Sequence, residues 1–400
     1  MQSALANNTL TLDSAKAIGT PLLLAIALLA SIYLLPMAAD AILGLALLYV
    51  AATGGDTRKQ SRVLLDDPLG KLTLLLVIYL CLSVLWSSQW EAQDLAQTWM
   101  RALLCLCVLV TLANTSPQSA VAHRILSRAI AISVVLSALV CIAMWLQNPP
   151  DDGRLNGLFR LNNPGKAGRS YAAALPFLLF AYLVHSGRWR WLATLGILLA
   201  TAAVILTDTR AAWLGAFAGA ATVLLSTWHS SRAGFLRLGI ITIAVCAAVL
   251  AGFALHPDPE VRALLLPRGD SFRLQIWSDH LHYILDEVAI FGGGYLASLE
   301  MDLGNTTTTG AHNMYLSVAL QIGLPGLALF LTIIAWTALR LYRHLELPLA
   351  RMALGLLACS LVVYVFNGDR LLDKVNFIWL ATWLPIAVAL SLHKPPAHSA

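Results

Sequence analysis

Four hundred residues that are 58% hydrophobic, only 12% charged and of mean hydropathy +0.74 exclude an ordinary soluble domain, in which about a quarter of residues carry charge. The apolar residues fall in continuous blocks, near the roughly 20 residues a helix needs to cross a bilayer, which excludes the alternating pattern of a transmembrane β-barrel. The net charge of +5 is modest, and its distribution carries more information than its total.

The expected fold is an all-α polytopic membrane protein of about twelve spans, at 17–35, 38–52, 69–86, 101–113, 129–146, 171–185, 191–207, 211–227, 236–255, 313–339, 351–366 and 375–392. The first block is followed by Pro36 and a second apolar block, with no small-residue cleavage site, so it reads as a span and not as a signal peptide. Tight turns join the first two spans and the seventh and eighth. One membrane domain covers 1–400, with outer loops at 147–170 and 256–311 and a tail at 393–400. Cys81, Cys105, Cys107, Cys141, Cys246 and Cys359 all lie in apolar blocks, as core cysteines do, and not as a disulfide framework or zinc site.

Orientation follows from Lys and Arg in the connections. One side collects 15 of the 26 basic residues, among them the Arg58-Lys59-Arg62-Lys71 group, Arg124 and Arg128, Arg188 and Arg190, and Arg340, Arg343 and Arg351. That side reads as cytoplasmic, with both termini on it. The remaining 11 basic residues lie on the outer side and need another reason to be there. Trp86, Trp90 and Trp99, and Trp189 and Trp191, read as interfacial anchors.

Two outer connections are long. The first carries Arg154, Arg160, Lys166 and Arg169. The second holds Arg273-Leu-Gln-Ile-Trp277 at the head of a stretch with helical apolar spacing (Leu274, Trp277, Leu281, Ile284, Leu285), then Phe291-Gly-Gly-Gly294-Tyr295, then a polar run ending at His312. His280 and His282 are two apart on that helix, face apart, and make poor joint metal ligands, so no metal site is expected. No Walker motif or dinucleotide fingerprint is present, and nothing points to nucleic acid or a cofactor. No charged residue falls in the middle of an expected span, which argues against an ion-coupled transporter.

Three groups on the outer side carry chemistry. Arg210 lies in Thr207-Asp-Thr-Arg210-Ala-Ala-Trp-Leu-Gly215, between two apolar helices. Arg273 opens the amphipathic helix, and His312 precedes the tenth span. Guanidiniums suit bidentate binding of phosphate or pyrophosphate, and an imidazole suits general-base work near neutral pH. Each has a plainer reading. Arg210 pairs with Asp208 or reaches to the interface, Arg273 pairs with Asp270 or Asp279, and His312 caps the following helix. The basic residues of 154–169 form a solvated face or touch lipid headgroups.

Taken together, the segment around Arg210, Phe272-Arg273-Leu-Gln-Ile-Trp277, Phe291-Gly-Gly-Gly-Tyr295 and His312-Asn-Met-Tyr-Leu316 with Gly323-Leu-Pro-Gly326 resembles the O-antigen ligase and polymerase superfamily. The recognisable residues span about 150–375. The resemblance implies a GT-C-like helical fold, a bacterial inner membrane location and a site facing the periplasm. It implies glycan transfer from an undecaprenyl-pyrophosphate carrier, without metal or nucleotide, to a sugar hydroxyl of lipid A–core oligosaccharide. His312 matches the catalytic histidine, and Arg210 and Arg273 match the arginines assigned to the donor pyrophosphate. Asp369, in Asn367-Gly-Asp-Arg370, is the best match to a functional acidic residue, with Asp373 competing; Arg154, Arg160, Lys166 and Arg169 are possible supporting residues. A single large outer loop, a histidine directly before the tenth span and no C-terminal soluble domain favour the ligase. The alternatives are a polysaccharide polymerase or protein O-oligosaccharyltransferase of the same superfamily and, from another class, a lipid or solute transporter.

Overall fold

A computed structural model describes residues 19–53, 57–88, 90–115, 119–228, 272–302 and 307–392. The expected span at 236–255 lies outside the described residues, as do positions 256–271 of the second outer loop and the tail at 393–400.

In chain order, α1 (Thr20–Leu34) and α2 (Met37–Thr53) are joined by a short turn at Pro36, and α3 (Thr57–Asp66) leads into α4 (Pro68–Ser83). Then come α5 (Ala92–Ala113), α6 (Ala120–Gln147), α7 (Pro164–Val184), α8 (Gly187–Leu206) and α9 (Arg210–Trp228). After the undescribed stretch follow α10 (Arg273–Glu287), a small antiparallel hairpin of β1 (Met301–Asp302) and β2 (Thr307–Thr308), α11 (Met314–Arg343), α12 (Pro348–Phe366) and α13 (Trp379–Ser391). Seven helices among the described residues are long and apolar enough to cross a membrane, and three shorter helices are apolar, so the chain is a multi-pass, all-α membrane protein.

The structure departs from the sequence reading mainly at helix starts. The apolar blocks at 101–113, 129–146 and 171–185 are only the later parts of α5, α6 and α7. Caps explain why. Glu91 and Asp94 form a reciprocal capping box before α5, and the Ser119 hydroxyl accepts from Ala122 N at 3.4 Å before α6. The Asn163 side chain accepts from Gly165 N at 2.8 Å, with Pro164 at the first helical position of α7. Polar first turns are therefore helical although hydropathy reads them as loop. In consequence Arg101, Arg128 and Arg169 lie inside α5, α6 and α7. The expectation of charge-free span interiors is corrected, and the case against transport that rested on it is withdrawn.

Small residues set the central packing. A Cβ on Gly215 of α9 would meet Val363 at 2.5 Å, and one on Gly219 would meet Cys359 and the Gly355 carbonyl of α12 at 3.0 Å. Only backbone-to-backbone approach fits here, as in other small-xxx-small helix pairs. Residue 215 against 363 and 219 against 355–359 makes the pair antiparallel. The start of α9 therefore stands level with the end of α12.

The helix α11 is two helices joined at a break. Ile322 (φ −130°) and Gly323 (φ 72°) are non-helical, and Pro325 follows. The break frees backbone groups, which in an apolar setting need other partners. The Gly-rich 289–294 segment supplies them: Gly293 N donates to Leu320 O (2.7 Å), Gly294 N to Gln321 O (3.0 Å), and Leu324 N to Ala289 O (2.8 Å). At Gly323 a Cβ would come 2.2 Å from Ile290 O, and the positive φ adds strain for any other residue. The Phe-Gly-Gly-Gly and Gly-Leu-Pro-Gly motifs are thus two halves of one device. It fixes the short helix 314–321 at an angle its own sequence would not hold.

At its far end α11 carries Arg340, which meets Asp67 in a two-pronged ion pair of 2.5 and 2.9 Å; the side chains are 11% and 2% exposed. Asp67 also caps α4 through Leu69 N at 2.8 Å. One buried pair ties α11 to α4.

Candidate functional site

Two residues before α11 stands exposed His312, and its surroundings hold it in place. Asn313, not His312, is the cap: its side chain accepts from Tyr315 N (2.9 Å) and Leu316 N (3.2 Å). On the other side the Ala311 carbonyl accepts from Trp277 Nε1 of α10 at 3.1 Å. Between these anchors His312 adopts φ 47°, a left-handed conformation that non-glycine residues seldom take. Its Nε2 lies 3.4 Å from the Thr308 hydroxyl of β2. The capping alternative is removed, and the imidazole lines a cavity.

That cavity has a volume of about 820 Å³. Its walls come from the 159–162 turn, the first turns of α7, β2, the first turns of α11 and the 368–378 loop. Besides His312, its lining includes five cationic side chains (Arg160, Lys166, Arg169, Arg370, Lys374) and two carboxylates (Asp369, Asp373). Positive charge prevails, which suits an anionic ligand.

Local structure places each group. Arg169 donates to the Gly165 carbonyl (3.1 Å) and the Asn367 side chain (2.5 Å), so α7 is tied to the last loop. Arg160 donates to the carbonyls of Val375 (2.6 Å) and Leu35 (2.9 Å). Lys166 is exposed on the first turn of α7. Ser317 and Gln321, one turn apart on α11, donate to the carbonyls of Gly368 (3.2 Å) and Asp369 (2.5 Å), and so set the height of Asp369. Gly310 packs directly on that carboxylate: a Cβ there would be 3.0 Å from Asp369 Oδ1. His312 and Asp369 are therefore carried on loops in contact. The Asp373 carboxylate instead accepts from the Asn376 amide at 2.8 Å.

Arg210 and Arg273 do not line the cavity. Arg273 has its guanidinium 5.9 Å from the Phe366 ring, and Trp277, one turn later, stands 6.2 Å from the same ring. Arg210 opens α9 beside Thr209, whose hydroxyl donates to Pro164 O at the head of α7 (3.2 Å). Both thus flank the cavity at the end of α12. Arg154 stands apart from it. Its guanidinium donates to the Thr207 carbonyl (2.9 Å) and the Thr209 hydroxyl (3.1 Å), clipping the α8–α9 turn.

A common pattern links these positions. Lys166 and Arg169 lie in the first two turns of α7, Arg210 and Arg273 are the first residues of α9 and α10, and His312 precedes the Asn313 cap of α11. Helix N-termini carry partial positive charge and ordinarily favour acidic side chains. Cations there are held against that preference, and a bound anion relieves it.

Three cavity groups escaped the sequence reading: Arg370, Lys374 and Gln321. The charge-dense 367–374 stretch between two apolar helices was the available signal for the first two, while nothing in a single sequence marks Gln321. Of the two histidines of α10, His282 is exposed and His280 is buried. The surroundings of His280 disfavour its charged form. Burial, reinforced by His312, pushes its pKa down despite Asp279 and the Ile276 carbonyl, to which Nδ1 donates at 2.8 Å. The phenol of Tyr295 is pushed up by burial and hydrogen-bonds the Leu372 carbonyl, with the Arg370 guanidinium over its ring.

Residues 195–331 match the family model described as O-antigen ligase. The matched segment includes Arg210, Arg273, His312 and the broken part of α11, and stops short of the 367–374 loop. No curated protein matches the chain.

Proposed function

We take as premise that the chain is a member of the O-antigen ligase superfamily, through the segment 195–331, and propose that it moves a glycan from a polyprenyl-pyrophosphate donor to a sugar hydroxyl of lipid A–core oligosaccharide. The superfamily comprises glycosyltransferase-like ligases and polymerases. The observation that supports this reading best is a single imidazole, His312, facing a cavity whose remaining charge is mainly cationic.

The chemistry asks for two things. The donor is already activated, because its anomeric carbon is bonded to a pyrophosphate. As the acceptor oxygen bonds to that carbon, the carbon–oxygen bond to pyrophosphate breaks, and the electron pair leaves with the diphosphate. The acceptor proton passes to His312 Nε2 or Nδ1, a step worth about 10²–10⁴-fold in rate. Lys166 and Arg169, inside the cavity, and Arg210 and Arg273, at its flank, take the growing negative charge, aided by the helix N-termini that carry them. Preorganised cations of this kind are often the largest catalytic contribution. Attack from the face opposite the leaving group inverts the anomeric centre. Asp369, beside Gly310, orients the acceptor sugar or the His312 ring. Arg154 contributes by holding the α8–α9 turn from which Arg210 projects.

The excess of basic residues at the opposite face supports a cytoplasmic assignment for that face, and hence a periplasmic site in a bacterial inner membrane. Purified protein given undecaprenyl-pyrophosphate glycan and rough lipopolysaccharide, with neither metal nor ATP, should form smooth lipopolysaccharide. Glycan lengthening without attachment to lipid A would assign a polymerase instead, and transfer to a protein hydroxyl an O-oligosaccharyltransferase. No transfer to any acceptor would refute the glycosyltransferase reading.

A further inference from the structure

We infer that the end of the bundle opposite the cavity carries a second anion site, built around Arg128, which takes the phosphate of an acidic membrane lipid. It lies at the far end of α7 from Lys166, roughly 30 Å away at about 1.5 Å per residue over that helix of 21 residues. The inference is independent of the glycan-transfer reading.

Arg128 is 5% exposed, yet its Nε and Nη2 have no hydrogen-bond partner. Its guanidinium stacks 4.3 Å from the Trp189 ring. Two neighbouring ring nitrogens are in the same state: Trp189 Nε1 is buried and unpartnered, and so is His185 Nδ1, while His185 Nε2 is engaged with the Ser127 hydroxyl at 2.9 Å. The charges that act on Arg128 are Arg124 and Arg188, both cations, and it has no acidic partner among the described residues. Arg190 is turned away, donating to the His185 carbonyl at 2.9 Å.

Burying a guanidinium without a counter-charge is expensive, and this chain shows at Arg340 how it neutralises one for structure alone. At Arg128 no counter-charge stands among the described residues, and the guanidinium, the Trp189 indole N–H and the His185 Nδ1 are left unpartnered within one cluster of stacked side chains. A phosphate monoanion or diester fits: it accepts from a guanidinium fork, an indole N–H and an imidazole N–H together. The surroundings favour a lipid as its source. From this cluster α8 runs along the bundle presenting Trp191, Leu195 and Leu198 outward, 75%, 42% and 64% exposed, a strip on which an acyl chain can lie. Basic pockets between transmembrane helices are a recurrent setting for acidic headgroups.

The test uses full-length protein in a neutral detergent, titrated with phosphatidylglycerol, phosphatidylcholine or inorganic phosphate, with bound lipid counted by native mass spectrometry. Phosphatidylglycerol should bind in preference to phosphatidylcholine, and inorganic phosphate should not displace it at equal concentration. Arg128→Gln and Arg188→Gln should each weaken phosphatidylglycerol binding by about five- to tenfold. Arg188 is exposed, so its variant carries the test if Arg128→Gln does not fold. Equal retention of the two lipids, or unchanged phosphatidylglycerol binding in the folded variants, would overturn the site. Inorganic phosphate displacing the lipid at equal concentration would overturn its assignment to a lipid.

Discussion

Arg340 and the cations of the cavity occupy opposite ends of the same bundle and are treated in opposite ways. Arg340 is matched by Asp67 with two short hydrogen bonds, and the pair serves to cap α4 and anchor α11. At the other end five cationic side chains share a cavity with two carboxylates, and one of those, Asp373, is engaged by Asn376. Charge that is matched and buried is structure. Charge that is in excess, at helix N-termini, around an open volume, is arranged for a ligand. The contrast separates residues whose loss unfolds the protein from residues whose loss silences it.

The largest effect on stability is expected at the matched end. Asp67→Ala leaves Arg340 buried without its counter-charge, and should cost about 3–5 kcal/mol, read as a large drop in the thermal midpoint. Gly323→Ala comes next: the new Cβ would collide with Ile290 O in a positive-φ conformation, and the loss of about 1–3 kcal/mol should appear as poorer yield and a lower midpoint. At the unmatched end Lys166→Ala should leave the midpoint unchanged while lowering kcat/KM for transfer by about ten- to a hundredfold, the worth of one charge-assisted contact. A comparable fall in midpoint there would erase the distinction between the two ends.

Acidification gives the smallest effect. Burial, with Arg124 and Arg128 nearby, pushes the His185 pKa down to about 4, and burial also lowers that of His280. Both side chains take up a proton less readily in the fold than when unfolded. The contribution of His185 to stability is therefore complete above the ordinary histidine value of about 6.5 and declines as the pH falls toward about 4, and that of His280 declines in the same sense. Thermal midpoints at pH 7.5 and 5 should differ in that sense, and His185→Gln should reduce the difference.

Much of this was legible in the sequence because bilayer physics is blunt. Among the described residues long apolar blocks became helices and the short turns at Pro36 and Asp208 stayed turns; the stretch after Arg273 became α10, but it turns Ile276, His280 and Ile284 inward and leaves Leu274, Leu281 and Leu285 of the expected apolar stripe exposed. Helix starts were less legible, because hydropathy responds to side chains whereas a helix is begun by caps. Asn163-Pro164 and the Glu91–Asp94 box marked the true starts of α7 and α5, and they moved Arg169 and Arg101 from loops into helices. His312 stood out as a histidine at a polar-to-apolar boundary. Its neighbours in space, Asp369, Arg370 and Lys374, belong to a loop more than fifty residues later and are brought to it by the hydrogen bonds of Ser317 and Gln321 and the packing of Gly310 on Asp369. Such long-range closure leaves no mark in a single chain. The break in α11 falls at Gly-Leu-Pro-Gly, inside a stretch that hydropathy reads as one continuous span, and neither the break nor its pairing with the 289–294 segment follows from apolar content.

The central claim is that His312 takes the acceptor proton while neighbouring cations hold the donor. Donor binding and glycan transfer measured side by side on His312→Ala test it most directly. The account predicts that the variant folds, binds the polyprenyl-pyrophosphate donor within about twofold of the unaltered protein, and loses transfer by about 10²-fold or more. Transfer at the unaltered rate, with the same donor binding, would contradict it.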